Sequence, residues 1–359
     1  MKILLPYYQR SDYTIDSPFM IGGLEKFSQL VYKNLPNVIP VHFTDHDRKN
    51  RLVTKKVVSA AREHNVDVII SNYENQTLTT AIQEQIDVPI MWISHSCTGG
   101  IGRIPQVKTM SEFTDNGGLL FMMSENQFTG LDKLSERTNN RKLTLSGYIN
   151  SAFCSGTETP SEHLEYNATT IGRMNRAKDP FWLHKKLDKS DQNSLVLTSL
   201  VKEFLTPDQT EYYEENKHWV SPRETFYNQD HVTVLNNLSK SGCYVSTHPG
   251  ESWGITALEA LSHGIPTILK CFKSLVHSSE CIPASPKHIF KVNNMNKTEF
   301  ADLVRSLNRV TYEERLEISA LTKEKHSREK WIKSIENAID QTISNHKPKT
   351  NLFDLTQFI

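Results

Sequence analysis

The stretch Gly242–Leu269, GCYVSTHPGESWGITALEALSHGIPTIL, reads as strand, loop, helix, loop, strand. Cys243 to Thr247 is a short apolar run of strand type, and His248-Pro249-Gly250 breaks it. A helix then runs from about Gly254 to Ser262, with Gly264 at its C-terminal stop and Pro266 leading into the next strand. That order sets the backbone N–H groups of Trp253, Gly254 and Ile255 at a helix N-terminus, where the dipole favours an anion such as a diphosphate. Glu251 stands on the loop and Glu259 on the helix. One carboxylate can face whatever the phosphates carry, and the other can reach a ribose, because carboxylates accept strong hydrogen bonds from sugar hydroxyls.

Outward from this stretch the pattern repeats. Ala168 to Gly172, Ser194 to Leu200, Thr267 to Lys270 and Ile289 to Val292 read as strands, and after Thr298 the chain reads as helical nearly to Asn345, with breaks around Thr311 and His326. In the first half the strand candidates are Ile3 to Leu5, Val38 to Phe43, Val66 to Ser71, Pro89 to Ser94 and Leu119 to Ser124. Helix candidates follow them at Leu24 to Asn34, Thr54 to His64, Leu78 to Gln85 and Asn126 to Ser135. Short apolar runs alternating with helical segments predict an α/β protein with mainly parallel sheets, and the restart after the midpoint predicts two of them. The polar run SGTETPSEHLEYN, Ser155 to Asn167, suits a linker, and a length of 359 residues suits two domains.

Composition narrows the function classes. With 37% hydrophobic and 23% charged residues the chain can form packed cores, which excludes a disordered or fibrous protein. Lys+Arg and Asp+Glu both number 41, so no global field draws the chain to a polyanion, and any such contact is a local patch. Cys97, Cys154, Cys243, Cys271 and Cys281 are scattered without a C-x-x-C pair, which fits a reducing, cytoplasmic setting better than zinc binding or disulfide exchange. No apolar run approaches the ~20 residues of a membrane span, and the opening MKILLPYY is expected to be too short and too soon polar for a signal peptide.

Glu251 and Glu259, within PGESWGITALEALSHGIP, resemble the Glu-x7-Glu signature of retaining glycosyltransferases of the GT-B fold, sequence family four in particular. Trp253 stands where the usual motif has Phe, and Ser252 where it has Gly. Gly172-Arg173 followed by Lys178 resembles the family's G-R-x-x-x-x-K element, Gly22-Gly23 its N-terminal glycine pair, and His95 after PIMWIS its N-domain histidine.

The resemblance implies two Rossmann-like domains facing a cleft: an acceptor-binding domain over 1–160, a nucleotide-sugar-binding domain over 161–325, and a C-terminal helix and tail over 326–359 crossing back to the first. It implies that Arg173 and Lys178 neutralise the leaving phosphate and that Glu251 grips the transferred sugar. Glu259 would hold the ribose, and His95 would contact the sugar. Gly22, Gly23, Ser252, Trp253, Gly254 and Ile255 would line the donor. The donor is expected to be a UDP-sugar carrying glucose or a pentose such as arabinose, with no metal strictly required and no tightly bound cofactor.

For the acceptor, Arg48, Lys49, Arg51, Lys55, Lys56 and Arg62 form a basic run, and Arg137, Arg141 and Lys142 a second one. Basic residues of this kind suit phosphate contacts to double-stranded DNA. The chain's small size, its short N-terminal domain and the His95-Ser96 segment after an aromatic-bearing strand also resemble the T-even phage DNA α-glucosyltransferase group, which implies hydroxymethylcytosine in phage DNA as the acceptor and the host cytoplasm as the setting. A saccharide acceptor in polysaccharide synthesis is the alternative, and a non-catalytic nucleotide-sugar binding module a further one. His42, Asp45, His46 and Asp47 in HFTDHD read as a polar loop after a strand rather than a metal site, and Gly99-Gly100-Ile101-Gly102 as a loop over the cleft.

Overall fold

Parallel pairing organises both halves of the chain. A computed structural model describes residues 1–8, 15–16, 23–49, 52–72, 76–95, 104–124, 145–150, 152–174, 176, 178–188, 193–198, 206–219, 225–227, 230–248, 253–271 and 288–347. Among these, the first sheet is built from β1 (Ile3–Tyr8), β2 (Val38–Phe43), β3 (Val68–Ser71), β4 (Ile90–Ser94), β5 (Leu119–Met122) and β6 (Leu145–Tyr148). Their order is β2-β1-β3-β4-β5-β6, with every pairing parallel. The connecting helices are α1 (Gly23–Asn34), α2 (Asp45–Lys49), α3 (Val53–His64), α4 (Gln76–Gln85) and α5 (Ile104–Asp115).

The second sheet holds β7 (Tyr166–Arg173), β8 (Asn193–Thr198), β9 (Thr225–Tyr227), β10 (Ser241–Ser246), β11 (Thr267–Lys270) and β12 (Ile289–Val292). It is again wholly parallel, in the order β12-β11-β10-β7-β8-β9. Its helices are α6 (Trp182–Lys186), α7 (Pro207–Asn216), α8 (His231–Ser239), α9 (Ile255–Ser262), α10 (Lys297–Leu307) and α11 (Tyr312–Lys325); α12 (Arg328–Ser344) follows them.

A parallel strand covered by helices on both faces is apolar without alternation, and β3, β4 and β10 are buried at every position. Each sheet has its own core. Leu4, Val57, Ile69, Ile82, Trp92 and Phe113 pack together in the first. Ala168, Leu183, Val245, Ile268 and Phe300 do so in the second. Burying each such aliphatic or aromatic side chain contributes roughly 1.5–3 kcal/mol. Contacts group β1 to β6 with residues 332–347 as one compact unit, and the described residues of Ala152–Trp331 as another.

Several elements differ from the sequence expectation. β6, β9 and the helices α5, α6, α7 and α8 were not foreseen: β6 and β9 are only four and three residues long, too short for a readable period. HFTDHD is not a loop beyond its strand, because Asp45 opens α2. Residues 155–167 include a tight turn, in which the backbone N–H groups of Ser155 and Gly156 both donate to the Glu158 carboxylate at 2.6 and 2.8 Å. The expected helix over 126–135 and the loop at Gly99 to Gly102 lie outside the described residues. Among the described residues no helix is long and apolar enough to cross a membrane.

Candidate functional site

The order of the second sheet decides where a ligand can sit. From β7 the chain moves outward through β8 and β9, then returns to the opposite side of β7 with β10. In open parallel sheets the loops leaving two such strands part to opposite faces, which opens a crevice at their carboxyl ends. β7 ends at Arg173 and β10 at Ser246, so the described residues at the rims of this crevice are Arg173 and Lys178 on one side and Thr247 and the start of α9 on the other. The Thr247 hydroxyl donates to the Lys178 carbonyl at 2.6 Å and ties the two rims together.

Arg173 is exposed at the strand end and makes no ion pair among the described residues; Lys178 is half-buried. Asp179, directly after Lys178, has φ 38°, in the left-handed region that disfavours most side chains. Its carboxylate accepts from the Tyr212 hydroxyl at 2.7 Å, from Lys270 Nζ at 3.2 Å and from Lys185 Nζ at 3.4 Å. These three groups come from α7, the end of β11 and α6, so the turn that carries Lys178 is held from three elements. Burial, then the bond to Asp179, pushes the Tyr212 phenol well above its ordinary range, and it remains a donor at any physiological pH.

On the other rim, Gly254 precedes α9 with no side-chain cap. The expectation that the N–H groups of Trp253, Gly254 and Ile255 are all open needs one correction: the Ile255 N–H donates to the Trp253 carbonyl at 3.1 Å. The chain folds back within two residues there and uses that donor itself. Trp253 is buried, with its ring edge-on to His326 at 5.9 Å and its indole Nε1 lacking a hydrogen-bond partner among the described residues. At the far end of α9, Gly264 adopts φ 73°, and a β-carbon there would collide with the Arg315 carbonyl, so the stop expected at this glycine is enforced by packing as well as by dihedral angle.

Glu259 lies on α9 with its side chain 16% exposed. Its Oε1 shares a 2.7 Å hydrogen bond with His231 Nε2, and its Oε2 is buried with no partner among the described residues. His231 is the first residue of α8, whose N-cap Asp230 accepts from the Thr233 backbone N–H at 2.9 Å. The sequence reading missed His231, Thr247 and Asp179. Asp230 as an N-cap was the available signal for the first, whereas the contacts to Glu259 and Lys178 bridge 28 and 69 residues.

In the first unit, His95 stands at the carboxyl end of β4 and Gly23 at the start of α1, which follows β1. The His95 ring meets Phe27 of α1 edge-on at 5.4 Å, and its Nε2 is buried with no partner among the described residues. Burial pushes its imidazole down to about 3, so it is neutral at pH 7.

The basic run is partly engaged within the fold. Lys56 pairs with the buried Asp47 at 2.8 Å, the Arg62 guanidinium donates to the Gln85 carbonyl at 3.1 Å, and the Arg48 guanidinium lies 5.4 Å from the centre of the Tyr8 ring. Lys55 is exposed on α3 and Lys49 ends α2. Gly22, Glu251, Ser252, Arg51, Arg137, Arg141 and Lys142 lie outside the described residues. No cluster of metal-ligating side chains occurs among the described residues.

No family model matches the chain, and no curated protein matches it. Solved structures do. Sucrose-phosphate synthase from Thermosynechococcus elongatus is similar with a TM-score of 0.70 at 12% identity, over 96% of this chain and 100% of that one. The Anabaena protein HepE, in complex with UDP and glucose, is similar with a TM-score of 0.68 at 14% identity, over 96% of this chain and 99% of that one. A glycosyltransferase from Rickettsia africae is similar with a TM-score of 0.64 at 12% identity, over 96% and 99%. These likenesses show the fold: two parallel-sheet α/β domains of the GT-B type.

Proposed function

We propose that this chain is a retaining glycosyltransferase that uses a nucleoside-diphosphate sugar, UDP-linked as the first choice. One observation carries the reading. The reversal between β7 and β10, closed by the Thr247–Lys178 hydrogen bond, joins a cationic segment bearing Arg173 and Lys178 to the N-terminus of a helix that bears Glu259. Cations and a helix N-terminus at one crevice suit a diphosphate, and a carboxylate one turn along the helix suits the attached ribose. The likeness to HepE, crystallised with UDP and glucose, supports the same reading.

In this mechanism Arg173 and Lys178 stabilise the charge that develops on the departing phosphate. The acceptor oxygen bonds to the anomeric carbon on the face from which the phosphate leaves, the carbon–phosphate oxygen bond breaks, and the acceptor proton passes to the phosphate. Glu251 accepts hydrogen bonds from the transferred sugar. His95, held neutral, orients a sugar hydroxyl without adding charge beside the anomeric centre.

The acceptor role is assigned to the first unit, and the acceptor to the hydroxymethyl group of modified cytosine in double-stranded DNA. Lys55, exposed on α3, is the phosphate contact we favour; Lys56, paired with Asp47, and Arg48, over the Tyr8 ring, are engaged within the fold. A saccharide hydroxyl is the second acceptor class, supported by the similarity to sucrose-phosphate synthase.

The test is nucleotide release from a panel of UDP-sugars, alone, with hydroxymethylcytosine DNA and with oligosaccharides, read with product masses. DNA-dependent release with a hexose or pentose mass gain on the DNA is the expected outcome. Release stimulated only by saccharides moves the acceptor to the second class, and binding of UDP without turnover returns the chain to a binding module. Arg173→Ala and Glu251→Ala are each expected to lower kcat/KM at least ~100-fold while leaving the thermal midpoint unchanged.

A further inference from the structure

We infer that His231 is a positioning residue that locks the Glu259 carboxylate so that its second oxygen reads the ribose hydroxyls, and thereby sets the preference for ribonucleotides. This rests on the donor-binding reading above and deepens it.

A carboxylate can only accept, so His231 Nε2–H donates to Glu259 Oε1 across the 2.7 Å contact, a charge-assisted hydrogen bond. Both ends of that bond are anchored. The Asp230 carboxylate accepts from the Thr233 N–H at 2.9 Å and from the Thr233 hydroxyl at 2.6 Å, which fixes the first turn of α8 and the backbone of His231. On α9 the Glu259 carbonyl accepts from the Ser262 hydroxyl and from His263 Nδ1, each at 2.8 Å. With Oε1 held, the carboxylate cannot rotate without breaking a bond.

Oε2 is then left buried, with no partner among the described residues. A buried acceptor without a donor is costly, and a ligand hydroxyl that donates to it removes the cost. A site built this way rejects an analogue that lacks the hydroxyl far more strongly than an apolar pocket rejects a missing methylene. Without His231 the carboxylate is free to turn and that discrimination is lost, while the phosphate contacts at Arg173 and Lys178 are untouched.

Calorimetric titration of the full chain with UDP, 2′,3′-dideoxy-UDP and inorganic pyrophosphate tests this. The wild-type chain is expected to prefer UDP over the dideoxy form by about 10- to 100-fold, the range of a hydrogen bond to a charged group. His231→Leu is expected to bring the two nucleotides within about threefold of each other with pyrophosphate affinity unchanged. His231→Gln, whose amide reaches the Nε2 position, retains the preference. His231→Asn, which reaches only the Nδ1 position, does not, and the Gln and Asn pair decides the matter if the Leu variant fails to fold. Full discrimination by the Asn variant, or wild-type binding of UDP without discrimination, overturns the role of His231 and leaves the donor reading standing. Absence of nucleotide binding by the wild-type chain overturns both.

Discussion

Asp179 occupies a left-handed turn at φ 38° that glycine would enter with less strain, and its three hydrogen bonds explain why a carboxylate is there instead. The turn orients Lys178 and presents its carbonyl to Thr247. Asp179→Ala removes the acceptor of all three bonds and keeps the strain, so it is expected to lower unfolding free energy by about 1–3 kcal/mol in urea titration and to weaken UDP binding. Asp179→Asn, which tolerates the left-handed region and can still accept from Tyr212, is expected to lose less on both measures. At this scale the placement of Arg173 at a strand end and of Glu259 on the helix after Gly254 was legible, because spacing along a strand–turn–helix unit is a local property. His231 was not, since its meeting with Glu259 requires two helices to start at the same edge of a sheet.

Among the elements, α2 shows how chemistry-rich residues can serve local structure. Thr44 and Asp47 cap each other: the Thr44 N–H and hydroxyl donate to the Asp47 carboxylate at 2.9 and 3.1 Å, and Lys56 of α3 adds an ion pair at 2.8 Å. The bond to Lys56, then that from the Thr44 backbone, lowers the Asp47 carboxyl from 3.8 to about 2. A carboxyl depressed in the folded state stabilises the fold above its ordinary value and loses that contribution as pH falls through the lowered one. Asp47→Asn is therefore expected to destabilise the chain near neutral pH. The gap in urea midpoint between the two proteins should narrow from about pH 4 toward pH 2. A gap that stays constant across that range overturns the assignment. In HFTDHD two histidines and two aspartates draw the eye to ligation, while the Thr-x-x-Asp box that the structure uses is the plainer signal. The three helices after Thr298 were legible for a similar reason: Asn296 and Thr311 each form a capping box, and the last break falls at His326.

Across the whole molecule, sequence distance and structural membership part company. Residues 332–347 belong to the unit built from β1 to β6, where His346 bonds Asp87 at 3.0 Å and Ile335, Ala338 and Ile339 are buried. Deleting residues 332–359 is expected to raise hydrogen exchange in peptides covering β1 to β6 while leaving β7 to β12 protected, since each sheet has its own core. Equal loss in both sets would mean that the units do not hold their stability separately. The sequence by itself determined the α/β class, the two sheets and the place of the strand–turn–helix unit that ends at Gly264, because hydrophobic period, glycine stops and caps act over a few residues. Strand order, the reversal between β7 and β10, the short edge strands β6 and β9, and the pairing of His231 with Glu259 were decided only by the tertiary structure. They depend on which distant segments share a sheet edge, and no local pattern carries that information.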